Sequence, residues 1–327
     1  MKKILAILMV AVLFALPLCL AEEQAGEKTG VTVRVASLKG PTTMGLVKLM
    51  QDNDAGTTAN EYTFQMEATA DAITPLLVRG ELDIAMVPCN LAAVLINKTH
   101  DLQIAAINTL GVLYVLENGE SVQSVEDLRG KTIYSTGKGT TPEYALNYVL
   151  AGNGLDPEKD VNVEYKSEAT EVASAMLADA STIAVLPQPY VTAVLMQNPD
   201  VRVALSLTEE WDKIGNGSAM ITGVALVRSE FVQENPEAME AFLAEYAAST
   251  TYVNEHPEEA AQWIADLGIV AQAAMAQKAI PECNIVCVTG EEMQEKVSGY
   301  IQALYEQNPE SVGGAPADET FFYIAEE

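Results

Sequence analysis

Four short turns carry the side chains of this sequence that are best suited to holding a small polar molecule. Two of them place a Lys-Gly pair ahead of threonines, at 39–43 (KGPTT) and 138–141 (KGTT). The other two end an apolar run on a proline, at 84–90 (IAMVPCN) and 183–190 (IAVLPQPY). Their hydroxyl, amide and ammonium groups donate hydrogen bonds, so the chemistry expected is recognition of a solute. The candidate ligand-binding residues are Lys39, Gly40, Thr42, Thr43, Pro88, Asn90, Lys138, Gly139, Thr140, Thr141, Gln188 and Tyr190.

The spacing of these turns indicates an internal repeat. Lys39 precedes Pro88 by 49 residues, and Lys138 precedes Pro187 by the same 49 residues. The two sets are offset by 99 residues, which is too long for the repeat period of a solenoid. The chain is therefore predicted to contain two α/β halves built alike, with their turns pointing the same way.

Each turn lies where a predicted strand gives way to a predicted helix. In open α/β sheets, ligands bind beyond the carboxyl ends of the strands, where helix N-termini present free N–H groups. Threonine and proline are also ordinary residues at a helix start. At any single position, the residue can therefore serve either as a helix cap or as a ligand contact, and both interpretations stay open. The matched set of four turns favours a cleft between two lobes. We expect Lys39 and Lys138 to contribute unequally, with one of them facing solvent.

Other kinds of chemical site find little support. The stretch 137–141 (GKGTT) lacks the complete phosphate-loop pattern, and the two histidines, His100 and His256, have neither metal-ligand spacing nor a catalytic triad around them. We therefore expect no catalytic residue, no metal site, no cofactor and no enzymatic activity. Trp211 is interpreted either as an aromatic wall of the cleft, together with Tyr190, or as a cover for the edge of one lobe.

The composition indicates a two-domain exported protein. The chain has 327 residues, 49% of them hydrophobic, and a formal net charge of −28. Single cores rarely grow beyond about 250–300 residues, so two domains are expected. The strong acidity argues against nucleic-acid binding, which needs a basic face. It does not exclude an anionic ligand, because a cleft can be locally positive.

The N-terminus is typical of a secretory signal peptide, assigned to residues 1–21. Lys2 and Lys3 precede an apolar run at 4–18, which is shorter than the roughly 20 residues of a membrane span. Cleavage after Ala21 and lipid attachment at Cys19 are both open. Both place the protein outside the cytoplasm, either in the periplasm or on the outer face of the cytoplasmic membrane. Export permits a disulfide, yet a strand would hold Cys283 and Cys287 too far apart, so that pairing is also open.

Strand and helix patterns alternate along the chain, which predicts mostly parallel sheets flanked by helices. Two apolar strand patterns, at 102–108 and 111–117, follow one another without a helix between them, and we place the first crossing between lobes there, near Leu110. The second crossing is placed near Ile221, at the apolar strand 220–227, which follows a predicted loop through Trp211 to Gly217. Lobe 1 is expected to comprise 31–110 with 222–327, and lobe 2 to comprise 111–221.

Several short motifs resemble one family in their order and spacing. They are the turn at 39–43, GELDIA at 80–85, SVEDLRGK at 124–131, GLDPEKDV at 154–161, PQPY at 187–190 and ENPE at 234–237. Together they resemble the substrate-binding proteins of nitrate/sulfonate/taurine-type ABC importers, a family that also includes binders of the thiamine pyrimidine precursor. The resemblance implies a type II periplasmic-binding-protein fold that closes around one solute. Gln188 departs from the acidic residue that many relatives carry before the second proline.

The resemblance implies an extracytoplasmic binding protein that delivers a small solute to a permease and ATPase. Sulfonate- or nitrate-like oxyanions and small heteroaromatic molecules are both open as the solute. The rival interpretation is an enzyme on the same fold, of the pyrimidine-precursor synthesis or menaquinone-precursor dehydratase type. The signal peptide and the absence of an acid/base constellation argue against it. A sensor ectodomain is a third interpretation, although no membrane span follows residue 21.

Overall fold

The computed structural model describes residues 28–215 and 217–325. The predicted signal peptide lies outside the described residues. The first described residues are hydrogen-bonded to the loop at 56–59. The Lys28 ammonium donates to the carbonyl of Gly56 at 2.9 Å, and the Thr29 amide donates to the carbonyl of Ala59 at 3.0 Å. No helix in the described part of the chain is long and apolar enough to cross a membrane.

Six strands form the first sheet, and we call this sheet with its packed helices lobe 1. The strands are β1 (Thr32–Leu38), β2 (Glu61–Glu67), β3 (Ile84–Pro88), β4 (Leu102–Leu110), β10 (Ile221–Arg228) and β11 (Ile285–Val288). Their order is β11-β4-β10-β3-β1-β2. β1 is parallel to β2 and β3, whereas β10 is antiparallel to both of its neighbours and β11 is antiparallel to β4.

Five strands form the second sheet, which defines lobe 2. They are β5 (Leu113–Asn118), β6 (Thr132–Ser135), β7 (Asn162–Tyr165), β8 (Ile183–Pro187) and β9 (Val201–Ser206). Their order is β7-β6-β8-β5-β9, with β5 the one antiparallel strand. Most strands in each sheet therefore point one way, as expected. The exact lobe boundaries stay a prediction.

The two sheets have the same topology, which confirms the internal repeat. Without β11, lobe 1 is ordered β4-β10-β3-β1-β2 and lobe 2 is ordered β9-β5-β8-β6-β7. The reversed strands, β10 and β5, occupy equivalent places, and each is the first strand after a crossing. The chain leaves one sheet at its carboxyl edge and enters the other at that same edge, so the entering strand runs antiparallel. The carboxyl edges of the two sheets therefore face each other.

Helices cover both sheets and connect the strands. They are α1 (Pro41–Met44), α2 (Val47–Asp54), α3 (Ala70–Val78), α4 (Cys89–Thr99), α5 (Thr141–Gly152), α6 (Ala169–Ala178), α7 (Tyr190–Gln197), α8 (Leu207–Ile214), α9 (Ser229–Glu234), α10 (Pro236–Glu255), α11 (Pro257–Asp266), α12 (Ala273–Ala279) and α13 (Gly290–Gln307). Short 3₁₀ turns occupy Val125–Leu128, Ile280–Glu282, Pro309–Val312 and Glu319–Phe321.

One local prediction was wrong and another was incomplete. The segment through Trp211 was expected to be a loop, but it forms α8, because Ser206 accepts a capping hydrogen bond from the amide of Glu209 and the helix buries Trp211 completely. The C-terminal helices were expected to pack on lobe 1, and α13 does contact α4 of that lobe. It also contacts α5 of lobe 2, so it bridges the lobes.

Candidate ligand-binding site between the lobes

In chain order, the four turns are 39–43, 84–90, 138–141 and 183–190. The first turn is folded onto the end of its own strand. The Thr42 hydroxyl donates to the carbonyl of Leu38 at 2.8 Å, and the Thr43 hydroxyl donates to Ser37 Oγ, also at 2.8 Å. Both threonines are buried, whereas Lys39 is exposed. The sequence predicted these hydroxyls as donors to a ligand. Because their protons already have acceptors, they offer lone pairs instead.

The second and third turns meet across the lobes. Asn90, at the start of α4, accepts a hydrogen bond from the hydroxyl of Thr141, at the start of α5, with 3.2 Å between Oδ1 and Oγ1. The two residues are 8% and 7% exposed, so the contact is closed to solvent. The structure thus joins two sequence-predicted residues that are 51 positions apart and belong to different lobes. We call this contact and the strand ends beneath it the seam.

The rest of the third turn faces away from the seam. Lys138, Gly139 and Thr140 are all exposed. The Thr140 hydroxyl donates to the carbonyl of Gly137 at 2.7 Å, and the Lys138 ammonium lies 5.9 Å from the centre of the Tyr165 ring. Both lysines of the matched turns are therefore exposed, and neither is buried in the seam.

The fourth turn is bonded to its own helix. The side-chain carbonyl of Gln188 accepts from the backbone amide of Thr192 at 3.2 Å and from its hydroxyl at 2.9 Å. Gln188 is 3% exposed and lines a cavity of about 680 Å³, whose wall includes neither Asn90 nor Thr141. Tyr190 and Pro88, the remaining predicted residues, are half-buried at the starts of α7 and α4. Turn four therefore does not share the Asn90–Thr141 contact.

Three polar residues that the sequence analysis missed lie at the base of the seam. Both polar atoms of the Asn108 side chain and the hydroxyls of Thr109 and Thr222 are buried without a hydrogen-bond partner in the described structure. The residues come from the cleft ends of β4 and β10, where Gly223 pairs with Thr109 on one side and with Pro88 on the other. In the sequence, Asn108 and Thr109 could have been recognised as a polar pair within the largely apolar run 102–110.

Gly223 makes the close packing at this point possible. A β-carbon at position 223 would lie 2.4 Å from Asn108 Oδ1 and 2.8 Å from the methyl carbon of Thr42. Only a residue without a side chain lets both groups approach the backbone of β10 this closely. The glycine therefore brings turn one and β4 together over the end of β10.

Two aromatic residues close the seam from the side of α13 and α8. Tyr300, on α13, is fully buried, and burial followed by the proximity of Cys89 raises the pKa of its hydroxyl above the ordinary value, whereas the nearby Thr141 lowers it. Trp211 stacks on Tyr148 with ring centres 3.9 Å apart and lies 5.4 Å from Tyr300. Trp211 is therefore part of a shared core between the lobes, and neither a cleft wall nor an edge cover.

The groups around the seam are amides, hydroxyls and a thiol. No cluster of three or more His, Cys, Asp or Glu side chains suited to a metal ion occurs among residues 28–215 and 217–325. His100 and His256 are both exposed.

Cys89, Cys283 and Cys287 are free thiols, which resolves the open question of a disulfide between Cys283 and Cys287. Burial raises the pKa of the Cys287 thiol to about 12. The arrangement can donate and accept hydrogen bonds.

Comparison with known sequences places the chain in a family. The family model described as NMT1/THI5 like matches residues 67–260. The chain belongs to the NMT1/THI5-like family. No curated protein sequence matches it significantly.

Solved structures of transport proteins share the fold of this NMT1/THI5-like chain. An ABC transporter from Parabacteroides distasonis aligns with a TM-score of 0.76 and 24% identity, over 90% of this chain and 100% of that one. The periplasmic aliphatic sulphonate binding protein SsuA from Escherichia coli aligns with a TM-score of 0.72 and 15% identity, over 90% and 93%. The periplasmic nitrate-binding protein NrtA from Synechocystis PCC 6803 gives 0.58 and 14%, over 90% and 84%. These similarities confirm the two-lobe periplasmic-binding-protein fold.

Proposed function

We propose that this chain is the extracytoplasmic solute-binding component of an ABC importer, which captures a small solute in the seam and delivers it to a membrane permease. The observation that carries the proposal is the set of buried polar atoms of Asn108, Thr109 and Thr222, which have no hydrogen-bond partner in the described structure. A buried polar group without a partner typically costs about 1–3 kcal/mol. A solute with matching acceptors and donors would remove that cost.

Opening at the hinge would let a solute reach the buried polar atoms of Asn108, Thr109 and Thr222. The seam lies between two lobes joined by crossings near Leu110 and Ile221, and opening at such crossings separates facing turns without disturbing either core. Separation would break the Asn90–Thr141 hydrogen bond and admit the solute. Closure would then remove water around it, which strengthens every hydrogen bond that it makes.

The seam chemistry favours binding over turnover. Its polar groups are neutral amides and hydroxyls, and both histidines of the chain are exposed elsewhere. We propose on this basis that the protein is not an enzyme. The N-termini of α4 and α5 add backbone N–H groups, which suit an oxyanion such as a sulfonate or nitrate as well as the polar edge of a small heteroaromatic ring.

Variants of the buried Asn108 and the half-buried Asn97 test the seam once the solute is known from mass spectrometry of the molecule that co-purifies. In Asn108→Leu, a buried amide without a partner is removed, so the ligand-free protein should melt no lower than wild type while solute affinity falls by about 5- to 150-fold. Asn97→Leu is the matched control, because its amide donates to the carbonyls of Val312 at 2.8 Å and Ala315 at 3.0 Å. That control should melt lower and bind normally. Wild-type affinity in Asn108→Leu would exclude the seam as the site.

The proposed location is outside the cytoplasmic membrane, either free in the periplasm or anchored by a lipid on Cys19. The intact mass of the mature protein from its native host decides between them. Cleavage after Ala21 leaves an unmodified chain that begins at Glu22, whereas the lipoprotein route leaves a diacylated or triacylated Cys19. A mass that retains residues 1–21 without modification would contradict both.

A further inference from the structure

The cavity lined by Gln188 lies between the two lobes and is distinct from the Asn90–Thr141 contact. Its volume of about 680 Å³ lies within the range of small-molecule sites. Lobe 2 contributes residues of α7, β9 and α8 to its wall, and lobe 1 contributes Lys278 of α12 and Glu282 of the following 3₁₀ turn. Any molecule that fills it therefore contacts both lobes.

Two carboxylates approach the cavity from different lobes. Glu282 Oε2 lies 3.4 Å from the hydroxyl oxygen of Tyr114, and that hydroxyl donates to the backbone carbonyl of Glu282 at 3.0 Å. Burial raises the pKa of Tyr114, and the nearby charges of Glu282 and Glu209 raise it further. No ion pair of Glu209 or Glu282 occurs among the described residues.

The other charged residues of the wall offset only part of this negative charge. Glu210 is paired with Lys213, with 2.6 Å between Oε1 and Nζ. Lys278 is exposed and, in the part of the chain that the structure describes, forms no ion pair. The carboxylates on the cavity wall outnumber the ammonium groups.

A buried polar side chain and an apolar floor complete the cavity. Gln188 is 3% exposed; its amide oxygen is bonded to Thr192, and its amide nitrogen has no hydrogen-bond partner in the described structure. Met196 and Val203 also line the cavity and are 42% and 38% exposed, which is high for large apolar side chains. Apolar surface left open beside unpaired carboxylates suits a ligand with an apolar body and a positive end.

We propose that this cavity is a second ligand site, which takes a small organic cation with an apolar body. Its ammonium group lies near Glu209 and Glu282, and its apolar part covers Met196 and Val203. A ligand that also carries a carbonyl or hydroxyl oxygen accepts there from the amide nitrogen of Gln188. The site differs in both position and charge from the neutral seam.

Occupancy of this cavity should favour the closed arrangement of the lobes. Glu282 and Glu209 belong to different lobes, so opening at the hinge separates the two halves of the cavity. A ligand that binds the closed state better raises the affinity of any other ligand that also needs closure, and the effect is reciprocal. This coupling rests on the proposed solute-binding function of the seam, whereas binding in the cavity itself does not.

The experiment measures binding of benzylammonium to the full mature chain, with benzyl alcohol and benzoate as neutral and anionic probes of the same shape. Methyl-labelled methionine gives an NMR signal for Met196, assigned with the Met196→Leu variant. We expect benzylammonium to shift that signal and to bind more tightly than either other probe. Equal affinity of the three probes, or a Met196 signal that does not move, would overturn the proposal.

Variants of the cavity wall sharpen the test. Glu282→Gln and Glu209→Gln should each weaken benzylammonium binding by up to about fivefold, the size expected for partly exposed charge pairs. Lys278→Met should strengthen it, since a like charge is removed, and Ala204→Phe should abolish it by filling the cavity. Glu292→Gln on α13 is the control carboxylate and should have no effect. Unchanged binding in Glu282→Gln and Ala204→Phe would place the probe elsewhere.

A last measurement separates the two proposals. Asn108→Leu should weaken solute binding in the seam by about 5- to 150-fold and leave benzylammonium binding unchanged. If benzylammonium binds as described but no solute binds the seam in wild type, the proposed function fails and the second site stands. Loss of benzylammonium binding in Asn108→Leu would show that the cavity and the seam are one site.

Discussion

The two lobes repeat one sequence pattern, yet their matching turns lie in different surroundings. In lobe 1 the threonines of the first turn are buried against β1, whereas in lobe 2 Thr140 is exposed and only Thr141 is buried. Asn90 reaches across to the other lobe, while Gln188, at the matching turn, bonds to Thr192 of its own helix. The repeat places each turn at the end of a strand. The packing of the opposite lobe decides which side chain of the turn meets the seam.

The largest effect should come from the part of lobe 2 that has no counterpart in lobe 1. Helix α8 follows β9, whereas the equivalent strand β4 leads directly into β5. Trp211 of α8 stacks on Tyr148 and packs at a tilt against Tyr300, so Trp211→Ala should lower the free energy of unfolding by about 3–5 kcal/mol, as for other buried aromatic truncations. Denaturant titration checks this. The other tryptophan, Trp263, is only half-buried, and Trp263→Ala should cost clearly less; equal losses would contradict a special role for α8.

Each lobe also has a buried carboxylate paired with arginine at the edge far from the seam, Asp83 in lobe 1 and Glu117 in lobe 2. Glu117 accepts from the amide of Val122 at 3.0 Å and from Arg202 at 2.5 Å. Glu117→Gln should lower the free energy of unfolding by about 1.5–3 kcal/mol, the range for hydrogen bonds to charged groups. Arg34 and Arg228 pair with Asp83, so Asp83→Asn should cost a similar amount.

The Glu117 pair also predicts a pH dependence. Burial raises the pKa of Glu117, but the hydrogen bonds from Val122, Ser121 and Arg202 outweigh it and hold the pKa below the ordinary 4.5. A depressed folded-state pKa contributes stability above the unfolded value, and that stability is lost as the pH falls through the folded value. Stability measured from about pH 6 down to about pH 3 should therefore fall more steeply in wild type than in Glu117→Gln. Parallel curves would show that Glu117 is not the group responsible.

Thr141 and Thr140 are adjacent in one turn and offer a direct comparison. Thr141→Val removes the hydroxyl that donates to Asn90 and should weaken solute binding by about 5- to 150-fold. Thr140→Val removes an exposed hydroxyl that is bonded within its own turn, to the carbonyl of Gly137. Solute affinity should therefore change by less than about twofold. Calorimetry with the identified solute measures both. If the Thr141→Val variant binds the solute with wild-type affinity, the third turn is not part of the ligand-binding site.

The smallest effects are expected from the two matched lysines. Both Lys39 and Lys138 are exposed, so Lys39→Ala and Lys138→Ala should each change solute affinity by less than about twofold. Lys138→Ala also loses the contact with the Tyr165 ring, worth about 0.5–1 kcal/mol at an exposed position. Lys138→Ala should therefore melt at a lower temperature than Lys39→Ala, although the two variants should bind the solute alike. A large loss of affinity in either variant would show that the open state brings that lysine to the solute.

Much of the fold could be predicted because it depends on local pattern. The proline-ended runs became β3 and β8, as the alternation of apolar runs and turn residues indicated. The 49-residue spacing in each half implied two sheets of one topology, since equal connections place equal strands at equal positions. The binding role of the twelve candidate residues stays a prediction, although Asn90 and Thr141 do meet.

The tertiary structure alone decided which polar groups have partners. Asn108 and Thr222 lie 114 positions apart, and they come together only because β10 inserts between β3 and β4. The same long-range packing turned the segment around Trp211 into a helix and opened a cavity between α7 and the turn at Glu282. Local sequence sets the period and ends of each element, because these depend on backbone preferences and neighbouring side chains. Which face is buried, and against what, depends on contacts that close only when distant segments meet.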